Sequence, residues 1–179
     1  MPRGTFQGDS ADAKLEINKN LTLGGEGMNG TVLKCHLTLK QGGGFNGGKI
    51  LIRKLKVEGN VTVTDNTFDD VTFVSVEVKA NPNLDAMSID KCPGKLLLYC
   101  CEITGGRDGL SMSDRSTSAR IEQTDISCAS CRGIFANPDF DIKESAVYNC
   151  GGYGIKGRSG WTDLGGNELQ PGPWSEYGA

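Results

Sequence analysis

Short apolar runs recur along this chain, each broken by Gly, Asn or Asp, and nowhere does a helical period persist for a dozen residues. Five of the runs align on one frame: ILIRKLKV (50–57), VTFVSVEV (71–78), LLLYCCEI (96–103), ARIEQTDI (119–126) and FDIKESAV (140–147). Their starts lie 21, 25, 23 and 21 residues apart. The first column of the frame holds Ile50, Val71, Leu96, Ala119 and Phe140, and two residues on stand Ile52, Phe73, Leu98, Ile121 and Ile142. Three further on come Leu55, Val76, Cys101, Thr124 and Ser145, and two more give Val57, Val78, Ile103, Ile126 and Val147. Steps of two are the alternation of a strand. The frame therefore predicts two short strands per repeat, joined by one extra residue that bends the chain.

A third apolar site follows each pair after a loop of variable length: Val61 and Val63, Met87 and Ile89, Leu110 and Met112, Ile134, then Ile155. Glycine precedes it at Gly109, Gly133 and Gly154. Three strands in a repeat of this length describe one rung of a parallel β-helix, each rung hydrogen-bonding to the next about 4.8 Å away. A β-sandwich would need antiparallel hairpins, and the Asn-Gly and Asp-Gly pairs of this chain are not placed as two-residue hairpin turns between these strands. The prediction is an all-β, right-handed parallel β-helix of about seven coils in one domain. Residues 1–48 would form N-terminal coils and a Gly-rich loop, 49–157 the regular coils, and 158–179 a C-terminal cap or tail with Trp161 and Trp174 as covers.

Composition fits this reading. The chain has 179 residues, 26 of them Gly, which is about twice the usual share, and there is no collagen-like period. Corners between strands use such residues, many at positive φ; Asn60, Asn81 and Asn149 fall in the turn after the second strand. A net charge of −3 does not suit a nucleic-acid surface. The basic run KILIRKLK alternates with apolar positions and reads as a strand with a solvated face. No apolar stretch reaches the ~18 residues of a membrane span, and no apolar signal segment stands at the N-terminus.

Seven Cys is an odd number, so at least one lacks an intrachain partner. Cys128 and Cys131 form a lone CxxC, and the only histidine, His36, lies far away in sequence, so zinc is not favoured. His36 is read as a surface or turn residue outside the regular coils. Buried free thiols point toward a reducing compartment, while N-x-T sequons at Asn20, Asn29 and Asn60 leave secretion open.

The opening GTFQGDSADAKLEINKNLTLGGEG (4–27) and the rungs IEQTDISCASCRGIF (121–135) and IKESAVYNCGGYGIK (142–156) resemble the right-handed β-helix, or pectin lyase-like, superfamily. Members usually carry a strand before the G-T-[YF] motif and are longer, so this chain reads as a fragment or a short member. The resemblance implies a fold more than an activity, because the superfamily hosts lyases, hydrolases, esterases, epimerases and non-catalytic binders. It implies that sugar chains would lie along the outer face of the third strand. The outward residues there are Thr62, Ser88, Ser111, Phe135 and Lys156, flanked by Asp85, Asp90, Arg107, Asp108, Asp114, Arg115, Arg132 and Arg158. Arg forks suit carboxylates and Asp accepts sugar hydroxyls, so this patch suits acidic or neutral glycans.

The catalytic signatures of polygalacturonase-like members are missing, since no G-H-G occurs and Asp69-Asp70 falls off the expected strand. On another outer face Glu77, Glu102 and Asp125 share one rank in successive rungs, and their repulsion would recruit a cation such as calcium. No other cofactor is implied. The sequence therefore favours a non-catalytic binding or scaffold module, with a polysaccharide or a partner protein as ligand. The alternatives are a carbohydrate-active enzyme, lyase or hydrolase, acting on acidic glycans, and a structural subunit that self-stacks through its open coil ends.

Overall fold

The structure is a computed structural model, and it describes residues 4–7, 13–40, 47–64, 68–90, 94–113, 119–158 and 160–170. Among these every regular element is a strand, and every strand pairing is parallel. The strands form a parallel β-solenoid with three faces. One sheet of 13 strands carries the first and second faces, and a sheet of seven strands makes the third. The two faces join because Lys49–Glu58 and Asp70–Ala80 each run unbroken across both.

The repeat frame is the frame of the molecule. Ile50 pairs with Val71, Leu96 with Val71 and Ala119, and Ala119 with Phe140, so residues of equal rank stack rung on rung. The column Val57, Val78, Ile103, Ile126 and Val147 stacks likewise on the second face. On the third face Val61, Met87, Leu110, Ile134 and Ile155 form the equivalent line. Nearly all of these side chains are buried in one continuous core. Burial of such aliphatic columns is the main stabilising term, at about 25 cal/mol per Å² of apolar surface.

The extra residue between the first two strands is the corner. Lys54, Ser75, Cys100, Gln123 and Glu144 all sit there, with φ between 48° and 54°. A left-handed residue turns the chain sharply without consuming a loop, and none of these five is β-branched. At the corner before the third face glycine is needed for space. A Cβ on Gly109 would collide with the Ile126 side chain and the Gly133 carbonyl, and one on Gly133 with Val147 and the Gly154 carbonyl.

Where the inner column turns polar, it turns into a ladder. The Cys101 N–H donates to Thr124 Oγ1 (3.3 Å), the Thr124 N–H to Ser145 Oγ (3.1 Å), and the Ser145 N–H to Asn167 Oδ1 (2.9 Å). The two hydroxyls donate in turn to the carbonyls of Glu122 and Lys143, both at 2.8 Å. Buried polar groups tolerate the core only when paired in this way.

The turn count differs from the expected seven. Six complete turns begin at Leu21, Lys49, Asp70, Lys95, Ala119 and Phe140. Among the described residues, Gly4–Gln7 with Lys14–Ile17 at one end, and Trp161–Asp163 with Glu168–Leu169 at the other, supply two of the three faces. Trp161 continues the first face in register with Phe140 and stacks on it, centroids 6.2 Å apart. Trp174 lies outside the described residues. No helix among them is long and apolar enough to cross a membrane.

Candidate functional site

The outward column of the third face runs Glu16, Thr38, Thr62, Ser88, Ser111, Phe135 and Lys156 in continuous register. Alternation along each strand turns the intervening residues inward and directs these outward, where all but Thr38, which is covered at 5% exposure, reach the surface. The structure thus brings together the five outward residues that the sequence frame assigns to this face.

Charged pairs stand at the corner leading into the face, and each joins neighbouring rungs. Arg107 donates from Nε and Nη2 to the two oxygens of Asp85, at 3.0 and 3.2 Å. The Arg107 side chain is 59% exposed and that of Asp85 11%. One rung further, Arg132 donates from Nε to Asp108 Oδ1 (2.8 Å) and from Nη2 to Oδ2 (2.5 Å). Asp108 opens the strand Asp108–Met112 and has no exposed side-chain surface, so it supports Arg132 from below. That carboxylate raises the affinity of the Arg132 guanidinium for its proton. The guanidinium also lies 3.8 Å over the ring of Phe135, a cation–π contact. Lys156 lies 4.7 Å over Tyr153, and Arg158 occupies the turn after the last third-face strand. Asp114 and Arg115 lie outside the described residues.

Asn60 and His36 join this site from the sequence's quieter positions. His36 opens the strand His36–Lys40, so it belongs to a regular turn of the solenoid. Its Nδ1 accepts from the Asn60 N–H (3.1 Å), which in the neutral ring leaves the proton on Nε2. Asn60 is only 4% exposed, and its Nδ2 donates to the Asp85 carbonyl at 2.7 Å. Among the described residues its Oδ1 has no hydrogen-bond partner. Burial also closes the Asn60 sequon in the folded chain. Asn60, Thr62, Asn83, Leu84, Asp85, Ser88 and Arg107 line a depression of about 220 Å³. The pairs were findable in principle, since His36–Asn60, Asp85–Arg107 and Asp108–Arg132 are separated by 24, 22 and 24 residues, one repeat each.

The carboxylates of the second face fall in the expected register, Glu102 opposite both Glu77 and Asp125. Glu77 is neutralised by Lys56 at 2.7 Å. Among the described residues no three His, Cys, Asp or Glu side chains form a group that could hold a metal ion. Six of the cysteines are described and all six are free thiols. Burial pushes the Cys101 thiol up to about 11 and raises those of Cys35 and Cys150, while Cys128 and Cys131 are exposed.

The architecture defines the chain as a parallel β-helix, an all-β solenoid with a polar third face. The chain matches no protein-family model, no curated protein and no solved structure.

Proposed function

We propose that this protein is a non-catalytic β-helix module, of the pectin lyase-like kind, that binds a polysaccharide lengthwise along its third face. The observation that carries this reading is the register of Thr62, Ser88, Ser111, Phe135 and Lys156 beside the Asp85–Arg107 and Asp108–Arg132 pairs. Hydroxyls and ion pairs repeating every ~4.8 Å match a polymer whose own hydroxyls repeat on the scale of one sugar ring. The column residues Thr62, Ser88, Ser111, Phe135 and Lys156 stand on strands rather than loops, so little ordering entropy is lost there on binding.

The test is a glycan array followed by titration calorimetry, with a reducing-end and unsaturation assay on every glycan that binds. The expected result is binding without turnover, weakened when Ser88 and Ser111 are both changed to Ala. Turnover abolished by Arg107→Ala would establish an enzyme instead. Absence of glycan binding, with a protein captured through the same face, would establish the partner-protein role.

A further inference from the structure

The depression at Asn60 deepens that reading, because its chemistry discriminates between classes of sugar. We propose that it seats an uncharged sugar residue, recognised through the hydroxyl hydrogens it donates, and that it disfavours uronates. The inference rests on the glycan-binding reading of the third face.

Acceptors dominate the lining. Asn60 Oδ1 is buried and has no partner among the described residues, and an amide oxygen in that state gains from any donor brought to it. Asp85 lends a carboxylate whose side chain is only 11% exposed. Thr62 and Ser88 add hydroxyls that both accept and donate. A sugar hydroxyl donates to such groups, whereas a uronate carboxylate has no proton to give and brings a second negative charge toward Asp85.

The arginines do not reverse this preference, because each already holds a carboxylate of this chain. Arg107 spends Nε and Nη2 on Asp85, and Arg132 spends the same two atoms on Asp108. A uronate that displaced Asp108 from Arg132 would strand a fully buried carboxylate, and one that used the remaining Nη donors would set two carboxylates on a single guanidinium. At Arg107 it would likewise share one guanidinium with the largely covered Asp85. Leu84, 54% exposed at the rim, offers apolar surface for the C–H face of a sugar ring, as uncharged ligands use.

The experiment compares neutral hexasaccharides with hexagalacturonate by titration calorimetry at low and high salt. The expected result is a neutral hexasaccharide bound about tenfold or more tighter than hexagalacturonate, with little dependence on salt. Thr62→Val, which keeps the shape and removes a hydroxyl, should weaken the neutral ligand about threefold to tenfold. Asn60→Ala should weaken it further; because it also removes the bond to the Asp85 carbonyl, its circular dichroism and thermal midpoint are measured alongside. Arg107→Gln removes the charge and keeps a polar side chain, and should lower residual hexagalacturonate binding by a larger factor than neutral binding. Tighter, salt-sensitive binding of hexagalacturonate that Arg107→Gln abolishes would overturn this inference and leave the glycan reading standing. Binding of neither ligand would overturn both.

Discussion

Arg132 closes over Asp108 with two parallel N–H···O bonds, and the carboxylate beneath has no exposed surface. Together they link two turns of the solenoid at the edge of its third face. A pair so placed is weak evidence of net stabilisation, but removing one partner strands the other charge. Arg132→Met should therefore destabilise the protein by about 3–5 kcal/mol in urea unfolding. Asp108→Leu combined with Arg132→Met should recover most of that loss. A single variant within about 1 kcal/mol of the parent would show that Asp108 reaches water once Arg132 is gone.

The five corner residues at positive φ predict an inverted substitution pattern. Ser75, with φ 53°, should accept Gly or Asn with little change or a slight gain. Ser75→Val should cost about 1–3 kcal/mol, because a β-branched side chain crowds the left-handed backbone. Thermal unfolding of the three variants checks this, and Val equal to Gly would refute the assignment of the corner.

The polar ladder predicts a penalty for an apolar substitution inside the core. Thr124→Val preserves shape but leaves the Cys101 N–H, which donates to Thr124 Oγ1 at 3.3 Å, without a partner. The expected loss is about 1–3 kcal/mol, and Thr124→Ser should restore most of it. Hydrogen exchange at the Cys101 amide supplies a local readout, with faster exchange expected in the Val variant.

The raised thiol of Cys101 predicts stability that depends on alkaline pH. Its ordinary value of 9.0 moves up to about 11 in the fold, because burial disfavours the thiolate. The stabilising contribution is fully present below pH 9 and is lost as pH rises toward about 11, up to about 2–3 kcal/mol in total. Cys101→Ala should flatten that part of the profile relative to the parent. Alkylation near neutral pH should modify the exposed Cys128 and Cys131 well before the buried Cys101. Early modification of Cys101 in the folded protein would contradict its burial.

Much of the fold is legible in the chain because its elements are local. Ile50, Ile52, Leu55 and Val57 reveal two strands and a bend through spacing alone, and the same spacing recurs in the next four rungs. The turn count was less legible, because Leu15 and Ile17 belong to a third-face strand while Leu21 and Leu23 begin the next turn. Apolar alternation looks the same on either side of a corner. His36 was misplaced for a related reason: it opens a third-face strand directly after the one ending at Lys34, with a single residue between them.

What the sequence by itself determined is the set of columns, since strand alternation and left-handed corners depend only on neighbours along the chain. It also determined which side chains of the third face point outward. The tertiary structure decided how the charges pair and which polar groups lose their water. Asp85 and Asp108 look alike in the sequence, each one repeat from an arginine, yet one lies at a rim and the other is sealed. That difference arises from the path of the variable corners, where no fixed period governs where a side chain points. Asn60 reads as an ordinary turn residue, and only the packing of His36 and Asp85 around it leaves its Oδ1 buried and unpartnered.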